Sequence, residues 1–132
     1  MSFKSQISFK IRQEESQRIM NKYSHRTPVI VEKAKNCELD DIDKKKFLVP
    51  NDLTMSQFIY IIRKRIKIKP EQAVFLTVNN CLSESNAQIV QVYNKHKDED
   101  GFLYVVYSSE NTLVNPYLWL ISRNNHKLRN DS

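Results

Sequence analysis

Two cysteines and three histidines are the side chains of this 132-residue chain best suited to nucleophilic or soft-metal chemistry. His25, His96 and His126 stand far apart, and neither Cys37 nor Cys81 lies in a C-x-x-C pair or a Cys/His cluster. A nucleophile needs a base within reach and a group to orient that base, and no such constellation is legible. Asp98-Glu-Asp100 places carboxylates together, but beside Gly101 it reads as a turn carrying a solvated acidic loop rather than a metal site. Gly101 is the only glycine, where ordinary usage of roughly 7% would supply about nine. Glycine-rich phosphate cradles and dinucleotide fingerprints are thereby excluded. No enzyme activity, cofactor or metal is expected.

The chemistry that remains is recognition, and it concentrates in residues 26–66. Arg26-Thr-Pro-Val-Ile-Val-Glu-Lys-Ala34 and Asp43-Lys-Lys-Lys-Phe-Leu-Val-Pro50 read as an extended hairpin whose second strand is a basic edge. Pro50 cannot donate to a ladder, which places it at an edge or an end. Side chains alternate along a strand, so Lys46 and Leu48 point one way while Phe47 and Val49 point the other. An exposed edge offers backbone groups to which an extended peptide adds as another strand. Lysines on such an edge also serve simply to blunt unwanted pairing.

A chain of this length is expected to hold one domain. Its 21 basic and 15 acidic residues give a net charge of +6, which favours anionic partners. Nucleic acid is not expected, because basic groups interleaved with stacking aromatics are missing, as is any recognisable reading module. Two distant cysteines fit a reducing compartment. No apolar run approaches the roughly 20 residues of a membrane span, and the start has no signal-peptide core. The expected location is cytoplasmic, as a monomer.

Periodicity supplies the elements that hold the edge. Ile11, Ile19 and Tyr23 share a helical face with Glu15 between them, so residues 3–24 read as a short helix followed by a longer one that docks on the rest. Asn36 to Asp43 is a polar connector. Thr54 and Gln57 form a capping box opening a helix with Met55, Phe58, Ile59, Ile62 and Ile66 on its core face, which Pro70 stops. Phe75-Leu-Thr-Val78 is a strand, Asn86 caps a helix carrying Ile89, Val92 and Tyr93, and Phe102–Tyr107 is a central strand. The order ββαβαβ with a helical extension is that of an α+β, β-grasp domain. The expected division is a helical extension over 1–24, the domain over 25–114 and a tail over 115–132.

The stretches quoted from 26–66, together with Phe58-x4-Arg63-Lys-Arg-Ile66, resemble the autophagy-related protein 8 family of ubiquitin-like modifiers, the GABA-receptor-associated and light-chain-3 types. The resemblance runs from about Phe9 to Thr112. It implies a ubiquitin-like β-grasp that receives short motifs of autophagy receptors and machinery proteins: an aromatic, two variable residues and an aliphatic, often with acidic neighbours. Carried over, the aromatic would be held by Glu15, Ile19, Pro28, Lys46, Leu48 and Phe102. The aliphatic would be held by Phe47, Val49, Pro50, Leu53, Phe58 and Ile61. Arg26, Lys44, Lys46 and Arg65 would meet the acidic flank. The opposite face, at Phe75, Leu76 and Thr77, is a weaker expectation, since Thr77 departs from the family's apolar residue.

The resemblance breaks at Val114, where the family carries the glycine whose carboxylate is activated and passed to phosphatidylethanolamine. Valine is β-branched and stiff beside the carbonyl, and no glycine follows in the sequence, so conjugation is not expected. Two readings fit: a non-conjugated paralogue that only binds partners, or a splice or transcript variant of a lipid-conjugated modifier. Autophagosome or other vesicle membranes would then be reached through partners. The tail reads Asn115-Pro-Tyr-Leu-Trp-Leu-Ile-Ser122 before a basic end. It is too short to span a bilayer, although peripheral membrane contact suits its aromatics and cations. Tyr117-Leu-Trp-Leu is read as no established motif, Trp119-Leu-Ile-Ser lacks the spacing for the dock, and disorder or loose packing is expected.

Overall fold

Two runs of β-branched and aromatic residues, 29–31 and 102–107, set the middle of the sheet. In the computed structural model, which describes residues 2–109, they become neighbouring parallel strands buried on both faces. The elements are α1 (Phe3–Gln6), α2 (Phe9–Lys22), β1 (Arg26–Lys33), β2 (Lys46–Pro50), α3 (Met55–Ile66), β3 (Val74–Val78), β4 (Cys81–Leu82), α4 (Ile89–His96) and β5 (Leu103–Ser109). The sheet order is β2-β1-β5-β3-β4, with β1 and β5 parallel and the other neighbours antiparallel. This is the expected α+β, β-grasp arrangement with one strand added. Two residues in β4 are too few to print a periodic pattern in the sequence. Val114 and the tail over 115–132 lie outside the described residues.

The sheet divides the core in two. Val29, Val31, Phe47, Val49, Leu103 and Val105 pack with Phe58, Ile62 and Ile66 of α3. Ile30 and Phe102 face the other way and meet Phe3 of α1 and Ile19 of α2. That second cluster lets β1 read as a continuous apolar run: both its faces are covered.

The helix ends follow local chemistry, with two departures from expectation. The Thr54–Gln57 capping box is present. However, α3 ends at Ile66, before Pro70, because Lys67 turns left-handed at φ 55°. Arg63 then donates to the carbonyls of Lys69, Pro70 and Gln72 at 3.1, 3.1 and 2.5 Å, fastening the loop back to the helix. The second departure is at α4, capped by Gln88 rather than Asn86, with the Gln88 N–H donating to Gln91 Oε1 at 3.0 Å.

The docked face of α2 is also different from the apolar one expected. Ile11 is 55% and Tyr23 38% exposed, whereas Arg12, Ser16 and Ile19 are buried. The reason is Asp100, which is 0% exposed and no part of a solvated loop. Arg12 Nε donates to Asp100 Oδ2 at 2.9 Å, and Tyr104 donates to the same oxygen at 2.5 Å. The Phe102 N–H takes Oδ1 at 2.9 Å. Arg12 Nη1 also donates to the carbonyls of Lys4 and Ile7, at 3.0 and 2.7 Å, so one guanidinium secures α1, α2 and β5. Ser16 Oγ donates to the Asp100 carbonyl at 2.5 Å. Gly101 stands beside that contact at φ +90°, and a Cβ there would come within 2.3 Å of Ser16 Oγ. The single glycine is thus required by the backbone and by α2 together.

Charge placement reinforces the latch. Asp98 pairs with Lys4 at 2.5 Å. Partial burial alone would raise the Asp98 carboxyl, but the bonds from Lys4 and the Asp100 N–H outweigh it and hold the group below its ordinary value.

Removing one partner from a buried ion pair leaves the other charge uncompensated, at about 3–5 kcal/mol. Asp100→Ala is therefore expected to lower unfolding stability in urea by about that amount, and a loss under about 1 kcal/mol would contradict the latch. Alkali should act through buried phenols. Burial, with a smaller contribution from nearby carboxylates, pushes Tyr107 up to about 12. Burial and the Asp100 hydrogen bond raise Tyr104 further. Groups raised in the folded state stabilise fully below their unfolded value of about 10, and that stability drains as pH climbs through the folded value. Tyrosinate absorbance should rise late and together with loss of circular dichroism; ionisation of all six tyrosines near pH 10 with the fold intact would refute it.

Candidate functional site

β2 is one edge of the sheet, and its ladder decides which backbone groups are presented. Thr27 faces Val49, Pro28 faces Leu48, Val29 faces Phe47 and Ile30 faces Lys46. The Val31 N–H donates to the Lys45 carbonyl at 2.7 Å and the Asn51 N–H to the His25 carbonyl at 3.0 Å. Antiparallel pairs alternate between bonded and non-bonded, so these two bonds make Phe47 and Val49 the residues that bond inward. Lys46 and Leu48 direct their N–H and C=O groups away from β1. Pro28, which has no N–H to give, sits opposite Leu48, where none is needed.

The side chains alternate with the backbone, so the two faces of β2 belong to two different apolar clusters. On the α2 face, Ile19 and Phe102 cluster with Phe3 and Ile30, and half-buried Leu48 packs against them. Pro28 is buried beside Leu48. Glu15 reaches across from α2 to pair with Lys46. On the α3 face, the Phe47 and Phe58 rings meet edge-on at 5.8 Å, joined by Val49 and partly buried Leu53. Ile61 is 38% exposed on the outer side of α3. Pro50 stands exposed at the strand end, in register with Arg26, and its carbonyl accepts from the Leu53 N–H at 3.0 Å.

Each of the four cations expected at this edge is already engaged. Arg26 Nη1 donates to the outward carbonyl of Leu48 at 3.0 Å. Lys46 holds Glu15. Arg65 Nε donates to Asp43 Oδ1 at 3.0 Å, and its guanidinium lies 5.7 Å from the Phe47 ring centre. Lys44 lies over the same ring at 5.1 Å. A carboxylate arriving here would compete with Glu15 and Asp43, exchanging one exposed or half-exposed pair for another, each worth about 0–1 kcal/mol.

Phe3, Ile7, Ile30 and Tyr104 also belong to the α2-side cluster and were not among the expected site residues. Phe3 meets Phe102 edge-on at 5.6 Å. An isolated phenylalanine ahead of a polar helix carries no periodic signal, and Ile30 sits in a run whose two faces the sequence does not separate. At the opposite face Leu76 and Thr77 are buried, leaving Phe75 only partly accessible. Between β4 and α4 lies a cleft of about 790 Å³ lined by Cys81 and His96 among others. Cys37 is buried and Cys81 exposed. Among the described residues no cluster of His, Cys, Asp or Glu is placed to hold a metal, and no helix is long and apolar enough to cross a membrane.

Known proteins are similar to this chain in sequence and fold. The family model described as autophagy protein Atg8, ubiquitin like, matches residues 11–114. Autophagy-related protein 8 of Vanderwaltozyma polyspora is 54% identical over 111 residues, which is 84% of this chain and 94% of the relative. Autophagy-related protein 8B of Oryza sativa subsp. indica is 55% identical over 111 residues, 84% of this chain and 93% of the relative. The crystal structure of Trypanosoma brucei ATG8 superposes with a TM-score of 0.80 at 40% identity, covering 83% of this chain and 95% of that one. With that coverage and a β-grasp sheet bearing two N-terminal helices, the chain belongs to the Atg8 family of ubiquitin-like autophagy proteins.

Proposed function

We propose that this chain is a non-enzymatic autophagy adaptor that binds aromatic-x-x-aliphatic segments of cargo receptors and autophagy machinery at β2, without conjugation to phosphatidylethanolamine. The observation that carries the reading is the outward pair of amides at Lys46 and Leu48, set between apolar clusters on opposite faces. A strand added there bonds to those amides whatever its sequence. Anchors that must reach opposite faces lie an odd number of residue steps apart. Three steps, the spacing of an aromatic-x-x-aliphatic segment, cover about 10 Å of strand. Spacing specificity thus follows from the geometry of the edge, and residue identity from the apolar side chains on each face.

The engaged cations add a second selection. Glu15 and Asp43 keep Lys46 and Arg65 occupied until a more acidic segment arrives, so basic or neutral flanks gain little. Such exchange speeds encounter and rejects the wrong charge more than it adds affinity. The absence of conjugation rests on Val114, which ends the match to the family where the resemblance expects glycine. The alternative reading is a splice or transcript variant of a gene that encodes a conjugated modifier.

Lys46→Ala combined with Leu48→Ala is expected to weaken a peptide bearing an aromatic and an aliphatic three apart, behind glutamates, by at least about tenfold, or about 1.4 kcal/mol. Unchanged affinity in titration calorimetry would remove the dock from β2. Asp43→Asn frees Arg65 and should tighten the same peptide at low salt, with the gain fading as ionic strength rises. Mass spectrometry of the cellular protein should find residues beyond Val114 still attached, and a species ending at Val114 with a lipid on it would refute the unconjugated reading.

A further inference from the structure

Ile11 is 55% exposed on α2, although an apolar cluster buries Ile19 of the same helix. A lone exposed apolar residue is ordinary, but this one extends a row already tied to β2. Residues four apart lie above one another on a helix, so Ile11, Glu15 and Ile19 form one stripe. Ile19 packs in the cluster that Leu48 joins, and Glu15 reaches Lys46. Four residues back along α2, about 6 Å, thus match two residues back along β2, about 7 Å. The helix and the strand run in the same direction, and Ile11 falls one step further upstream, level with Lys44.

The other face carries different chemistry. Lys44 and Arg65 both lie over the Phe47 ring, 5.1 and 5.7 Å from its centre, and Phe47 belongs to the α3-side core. Upstream of Leu48 the edge therefore has two cations on its α3 side. On its α2 side it has Ile11 and a lysine that Glu15 already holds.

We infer that this edge reads the flank of an aromatic-x-x-aliphatic segment by alternation, taking acids one and three places before the aromatic and an apolar residue four places before it. The inference rests on reading β2 as a peptide dock. Residues 46 and 48 serve the aromatic and residues 47, 49 and 50 the aliphatic, so the segment runs in the direction of β2. Side chains alternate along it. With the aromatic on the α2 side, the places one and three before it turn toward Lys44 and Arg65. The place two before it meets the Glu15–Lys46 pair, where a further carboxylate would face Glu15. The place four before it lies about 13 Å upstream, close to the distance of about 12 Å along α2 from Ile19 to Ile11. An apolar side chain there covers Ile11, and an acid there reaches neither Lys44 nor Arg65.

The test is calorimetry of the full chain with peptides that carry phenylalanine and leucine three apart and glutamates one and three places ahead. Leucine four places ahead should bind about threefold tighter than alanine at that place. With Ile11→Ser the ratio should fall to about one. Moving the two glutamates to the places two and four ahead should weaken binding about threefold at low salt, and unchanged affinity there overturns the alternation. Equal binding of the leucine and alanine peptides, both still weakened by Lys46→Ala combined with Leu48→Ala, overturns the apolar contact and leaves the dock standing. A leucine preference that survives Ile11→Ser overturns the role of Ile11. If no peptide binds the full chain, the dock and the reading of its flank fall together.

Discussion

The buried contact between Arg12 and Asp100 is the constraint on which the geometry of the edge depends. A carboxylate with 0% exposure is tolerated only when its oxygens are taken, and here Arg12, Tyr104 and the Phe102 amide take them. Those bonds fix how far α2 stands from the start of β5. Since Ile19 and Glu15 ride on α2, they also fix where Ile19 stands beside Leu48 and the reach of Glu15 to Lys46. A polar latch is thus what gives an apolar cluster its dimensions. Apolar contacts alone would hold the helix without setting its register, because the hydrophobic effect has little directionality.

The edge itself is held in a low-cost waiting state. Its outward carbonyl at Leu48 is bonded by Arg26, and its lysine and arginine neighbours are paired with acids from the same chain. None of these pairs is deeply buried, so releasing them costs little. In the proposed dock, a ligand N–H would replace Arg26 on the Leu48 carbonyl and ligand carboxylates would replace Glu15 and Asp43 on Lys46 and Arg65, with small net change. On that reading, discrimination falls on the apolar anchors, whose burial is not offset by any bond lost.

Much of this was legible in the chain. The alternation in Lys46–Val49, the Thr54–Gln57 cap and the core face of α3 all follow short-range rules, and each stands where those rules put it. The failures share a cause. Arg12 and Ser16 were passed over because a search for apolar periodicity looks for Ile11 and Tyr23, and the partner that buries them, Asp100, is 84–88 residues away. The same distance made Asp98–Asp100 read as a solvated loop. Lys67 could replace Pro70 as the stop of α3 only because Arg63 gathers the carbonyls beyond it, a long side-chain reach with no sequence signature. Phe3 completes a cluster whose other members lie on three separate elements.

The two faces of β2 belong to separate clusters, one of Phe3, Ile19, Ile30 and Phe102, the other continuous with the main core. Sites without shared packing partners respond to substitution almost independently. On the proposed reading of β2 as a dock, the preference for one anchor can therefore drift while the other stays fixed, one half-site at a time. The β2 backbone between them is the common part that such drift leaves untouched.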